Sequence, residues 1–287
     1  VACACRQRGG ARVMRSGQRK TRLVAVASGK GGVGKTFLSL NLAVALAQRG
    51  RSVMLFDGDM GLANVHVLLG IQPNQDVSDV IAGRCELSAI LLDGPGGVKI
   101  VPGSSGKRDV AELGVTEVTQ TLQAIGGLQP PADFLVIETG AGIGTHVTTL
   151  ARLSDAVVVV VRDEPASLAD AYGLIKVMYQ EFGCQRFQLI VNDVFNPRRG
   201  LDVFERLQQV AMRFLGLPLE LCGVVPHEAN VINAVRRRDS LLTAFPDCAG
   251  SVAIQRLAVN LEAVRIDEGN NEFLVDRLGA MPRKAVT

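Results

Sequence analysis

The chain has 287 residues, 47% hydrophobic and 21% charged, with a net charge of +3. That is ample apolar material for one large core, and single α/β domains of this size are common. The charge is too mild to demand a nucleic-acid or lipid partner, and the longest apolar run, 156–161, falls far short of a membrane span.

Arg6, Arg8, Arg12, Arg15, Arg19, Lys20 and Arg22 crowd the start of the chain. Residues 1–21 read as a basic, disordered extension, with Met14 the expected native start. The stretch lacks the continuous apolar run of a signal peptide. Cysteines stand at 3, 5, 85, 184, 222 and 248. Apart from the Cys3-Ala4-Cys5 pair they read as small buried hydrophobes in a reducing, cytosolic compartment.

Short β-branched runs then alternate with longer helical patterns. Strands are predicted over 23–27, 52–56, 97–101, 133–137, 156–161, 187–191 and 221–225, with helices over 37–49, 116–125, 167–181, 201–215 and 251–264. The strands are apolar on both faces, as buried parallel strands are. The fold class is therefore α/β: a single doubly wound, mostly parallel sheet flanked by helices. It occupies 22–266 as one domain. A polar hinge, 267–271, leads into a short tail, 267–287, in which Phe273, Leu274 and Leu278 share one face.

The chemistry sits where the predicted strands end. The first strand runs into Gly29-Lys30-Gly31-Gly32-Val33-Gly34-Lys35-Thr36, a complete G-x-x-x-x-G-K-[ST] phosphate loop, and Phe37 opens the helix behind it. The glycines let backbone N–H groups curl inward, and the helix N-terminus adds its positive end to the anion site. Lys35 reaches the β- and γ-phosphates, and the Thr36 hydroxyl holds Mg2+. The second strand ends at Asp57, with Asp59 one residue beyond; paired carboxylates suit metal and water positioning. Glu138, Asn192 and Pro226 end later strands. In doubly wound sheets ligands bind at this edge, so one active site is expected. His66, His146 and His227 are scattered. No nucleophile–His–acid set is legible, and all three read as structural or surface residues.

A second lysine, Lys30, lies inside the glycine run, pointing out of its own nest with no evident partner in its own chain. With it, residues 29–36 resemble the deviant Walker A motif of the MinD/ParA family of P-loop ATPases. The resemblance implies an ATP-sandwich homodimer in which Lys30 reaches the partner's phosphates. It makes residues 57–64 the first switch, with Asp59 orienting the attacking water and Asp57 near the metal shell. It makes Ile137-Glu138-Thr139-Gly140-Ala141-Gly142-Ile143 the second switch, with Gly142 N–H on the γ-phosphate. That segment usually reads Asp-Thr-Ala-Ala-Gly-Ile. Glu138 here carries the carboxylate about 1.3 Å further, which an octahedral Mg2+ shell tolerates poorly, so slow turnover is expected. The resemblance also puts Asn192, Pro226 and His227 around the adenine.

Residues 59–70, 79–83, 91–98, 101–106, 163–176, 225–228 and 244–246 are similar to the FlhG/FleN branch, and the likeness spans about 22–278. That branch consists of flagellar number regulators that dimerise on ATP, restrain a FleQ-type transcription activator and work with the GTPase FlhF. The Asp-Gln-Ala-x-x-Leu-Arg motif through which such chains activate FlhF does not appear before Leu23. Weak, reversible membrane contact through the tail is implied, and direct specific nucleic-acid binding is not. The alternatives are a MinD-like division-site ATPase, which needs a stronger amphipathic tail, and a ParA-like partition ATPase, which needs a basic dimer face.

Overall fold

The computed structural model describes residues 21–59, 63–104 and 115–264. The predicted basic extension, the polar hinge and the amphipathic tail lie outside the described residues, as do 60–62 of the first switch.

The strands are β1 (Arg22–Ser28), β2 (Val53–Gly58), β3 (Leu92–Asp93), β4 (Lys99–Val101), β5 (Phe134–Ala141), β6 (Ala156–Val161), β7 (Phe187–Val194) and β8 (Glu220–Pro226). The helices are α1 (Lys35–Gln48), α2 (Val65–Leu68), α3 (Val77–Ile81), α4 (Leu87–Ile90), α5 (Val115–Gly126) and α6 (Thr145–Leu153). Then come α7 (Pro165–Phe182), α8 (Pro197–Leu215), α9 (Asn230–Arg236), α10 (Leu241–Ala244) and α11 (Ala249–Ala263). Among the described residues the strands form one sheet in the order β3-β4-β2-β5-β1-β6-β7-β8. β1 lies at the centre, paired in parallel with β5 and β6. Chain order changes direction there, which opens a crevice beyond the carboxyl ends of the strands.

Alternate residues of each strand feed opposite layers. Val24 and Val26 pack with Leu38, Leu42 and Leu46 of α1 and Ile254, Leu257 and Leu261 of α11. Ala25 and Ala27 face the other way, against Leu174 and Met178 of α7, and β7 on the same side meets Val203 and Leu207 of α8. Further along that face, Phe56 and Ile137 meet Val118 and Leu122 of α5. Each such side chain, fully withdrawn from water, contributes about 1.5–3 kcal/mol.

Three features depart from the sequence reading. β3 pairs antiparallel with β4, because the intervening chain reverses tightly, with Gly94 N–H donating to the Val98 carbonyl at 2.8 Å. Helix α6 was not anticipated: its Thr-rich sequence, with Val147, has low helix propensity, and burial of Val147, Leu150, Ala151 and Leu153 overrides it. Of the four cysteines described, only Cys222 is buried; Cys85, Cys184 and Cys248 are half-exposed. Cys248 has a capping role instead, its sulfur accepting the Ser251 N–H at the start of α11.

Candidate functional site

The phosphate loop is clamped from two sides. At its start, a Cβ on Gly29 would lie 2.1 Å from the Asp170 backbone of α7, so only glycine fits. At its end, Gly34 takes the left-handed conformation (φ 92°) and caps α1. A Cβ there would strike the Asn192 amide at 2.5 Å, and that amide donates to the Val33 carbonyl at 2.8 Å. Asn192, expected at the adenine, thus also holds the loop from β7. Lys35 is the first residue of α1 and is buried. The α1 N-terminus, with its free N–H groups and positive dipole end, points into the loop.

Beneath the loop lie two buried carboxylates, Asp57 and Glu138, cross-strand neighbours on β2 and β5. The Thr36 hydroxyl donates to Glu138 Oε1 at 2.5 Å, while the buried Oε2 has no protein partner. Asp57, expected near the metal shell, also receives backbone donors. Its Oδ2 accepts the N–H groups of Asn64 (2.8 Å) and Val65 (2.9 Å), and its Oδ1 accepts the N–H of Asp59. It therefore ties down the first switch and the start of α2. Burial, with repulsion from Asp57, pushes the Glu138 carboxyl up to about 8. Burial raises Asp57 as well, opposed by its N–H donors. Asp59 is raised by burial, and the charges of Lys35 and His146 oppose the shift.

A hydroxyl, a buried carboxylate oxygen without a partner and repelling acidic neighbours together form a hard-oxygen donor set that fits Mg2+. Among the described residues no three His, Cys, Asp or Glu side chains form a closed metal cage. Thr36 and Glu138 would therefore share the ion with phosphate oxygens and water, its usual arrangement with nucleotides.

Three further residues carry contacts the sequence did not disclose. Lys30 has a partner in its own chain after all: its ammonium meets Glu164 Oε2 at 2.5 Å at the head of α7. The close seating of Gly29 on α7 brings the two together. Glu164 in turn faces Arg162 at 3.5 Å, Arg162 pairs with Asp193, and Asp193 meets His227 Nδ1 at 2.7 Å. Asp193 takes φ +60° between Arg162 and His227, and the His227 ring stacks on Phe195 with centroids 4.3 Å apart. Pro226 ends β8 beside this row. The Gly142 N–H, expected on a γ-phosphate, donates to the Ser28 carbonyl at 2.9 Å. That contact would have to be exchanged for a phosphate. His146, read as a structural or surface residue, stands beside Asp59 in the first turn of α6. The available signal was position: Glu164 and His146, like the recognised residues, closely follow carboxyl ends of strands.

The CobQ/CobB/MinD/ParA nucleotide binding domain family matches residues 24–241. The antiactivator FleN of Pseudomonas aeruginosa is 43% identical over 263 residues, covering 91% of this chain and 94% of that protein. The flagellum site-determining protein YlxH of Helicobacter pylori is 32% identical over 239 residues, 83% of this chain and 81% of that one. In fold, the chain resembles the septum site-determining protein MinD complexed with Mg-ADP from Pyrococcus horikoshii. The TM-score is 0.71 at 23% identity, over 85% of this chain and 96% of that one. The chain belongs to the MinD/ParA family of nucleotide-binding ATPases, in the FlhG/FleN branch.

Proposed function

We propose that this chain is an ATP-driven switch that restrains a FleQ-type transcription activator and so sets flagellar number or placement. The antiactivator name belongs to the relative from P. aeruginosa, and 43% identity over nearly the whole of both chains supports carrying the role across. The observation that carries the switch is the division of labour between two lysines of one loop. Lys35 is buried among the phosphate-facing groups, whereas Lys30 sits at the rim on an exchangeable carboxylate.

In this reading ATP lies along residues 29–37, with its base near Asn192, Pro226 and His227. Thr36 and Glu138 would hold Mg2+, which would supply positive charge to the phosphates. Lys30 leaves Glu164 for the phosphates of a second copy, closing a homodimer whose remodelled switch segments bind the activator. Gly142 N–H turns from Ser28 to the γ-phosphate. Asp59 orients the attacking water, and hydrolysis, slow and Mg2+-dependent, returns the monomers. The protein acts in the cytoplasm, with weak peripheral membrane contact through the tail and FlhF as a second partner.

The test is co-elution of the full chain with its FleQ-type activator in ATP and in ADP. The complex is expected only with ATP and is lost in Lys30→Ala. Complex formation independent of nucleotide, or none in ATP, contradicts the reading.

A further inference from the structure

We propose that His146 is a positioning residue for ATP hydrolysis, bracing the Asp59 carboxylate across the bare Cα of Gly140. Asp59 orients the water in the switch reading above, and the role of His146 rests on that reading.

The geometry is specific. A Cβ on Gly140 would meet Asp59 Oδ1 and His146 Nε2, each at 3.1 Å. Both side chains therefore reach into the one space that a methyl group would fill. A Cβ on Gly144 would meet the same ring, at 3.2 Å from Cε1 and 3.5 Å from Nδ1. Gly140 of the second switch and Gly144 just beyond it thus form the slot in which the imidazole lies. His146 lies in the first turn of α6, whose next residue, Val147, is fully buried. The usual Asp-Thr-Ala-Ala-Gly-Ile pattern has alanine where this chain has Gly140, and that methyl would crowd the slot. The charge of Asp59 also acts on the imidazole, opposing the downward pull of burial on its protonation.

Hydrolysis joins a water oxygen to the γ-phosphorus and breaks the bond from that phosphorus to the β–γ bridging oxygen. The water's proton passes to the phosphate product or to solvent. His146 makes and breaks none of these bonds. It limits the swing of Asp59, and misplacing a positioning group by about 1 Å costs up to about 100-fold in rate.

The experiment is steady-state ATP hydrolysis by the full chain with Mg2+, comparing wild type, His146→Ala, His146→Gln, Asp59→Ala and the Asp59→Ala/His146→Ala double variant. His146→Ala should lower kcat about 10-fold with KM within about twofold. His146→Gln, which keeps an N–H donor, should recover most of the rate. The double variant should be no slower than Asp59→Ala alone, because the two act as one unit. Wild-type kcat in His146→Ala, no recovery in His146→Gln, or losses that multiply in the double variant would overturn the role of His146. If those results accompany a strongly impaired Asp59→Ala, the switch reading survives. Undiminished hydrolysis in Asp59→Ala would instead refute the Asp59 assignment and this inference with it.

Discussion

Two groups of carboxylates line the same edge of the sheet and meet opposite fates. Asp57 and Glu138, at the centre, are buried side by side, and burial raises both pKa values. Glu164 and Asp193, a few strands away, are half-exposed, and the chain supplies its own partners to them: the cations of Lys30 and Arg162 and the ring of His227. The hydrogen bond from Lys30 holds Glu164 below the usual carboxylate range. The central pair has the buried Lys35 nearby, whose charge opposes the rise at Glu138, and Asp57 is engaged by backbone donors, because a buried charge without such partners costs several kcal/mol. The rim pair sits in water, where breaking an ion pair costs little. One edge therefore combines a deep acidic pair with a shallow ion pair, which the proposed function treats as a latch.

Removing the lysine that faces the central acids should have the largest effect. Lys35→Ala is expected to weaken ATP binding by about 100-fold or more, as loss of a buried charge partner does. Titration with a fluorescent ATP analogue measures this. Affinity within a few-fold of wild type would show that the deep site is not the phosphate site. Next, Glu138→Gln should raise the Mg2+ concentration needed for half-maximal hydrolysis about 10-fold or more, since a neutral amide is a poor ligand for a hard cation. An unchanged Mg2+ requirement would assign the ion to other groups.

The metal-free protein should also report the buried pair through pH. Glu138 holds its proton more tightly folded than unfolded, with its carboxyl moved from 4.5 to about 8. The stability this gives is full below the lower value and is lost as pH rises through the upper one. Thermal melts in chelator should therefore fall between pH 5 and pH 8, by on the order of 1 kcal/mol per pH unit. Glu138→Gln should flatten the slope, and a slope untouched by the substitution would place its origin elsewhere. The smallest effect belongs to the rim. Glu164→Ala frees Lys30 and should lower the ATP concentration for half-dimerisation about two- to fivefold, read by light scattering. A higher requirement would mean that Glu164 helps the dimer and is no latch.

The central group was legible in the sequence and the rim was not. Gly29 to Thr36, Asp57, Asp59 and Glu138 follow strand-like runs at short range, so local pattern alone puts them at one edge. The partners of Lys30 and Asp59 lie at Glu164 and His146, more than 80 residues away, and only packing brings them near. The seating of Gly29 on Asp170, which aligns α7 with the loop, leaves no local trace. Helix α6 was hidden for a related reason: its β-branched residues read against helix, and its fold comes from the core beneath it. Asp57 was identified near the metal shell, but its backbone partners at 64 and 65 left no local trace in the sequence.

The account turns on Lys30 exchanging Glu164 for the phosphates of a second copy. Size-exclusion chromatography with light scattering on Asp59→Ala, with Mg2+ and saturating ATP, tests that most directly. A dimer is predicted that reverts to monomer when Lys30→Ala is added. A monomer in both, or a dimer indifferent to Lys30, would contradict it.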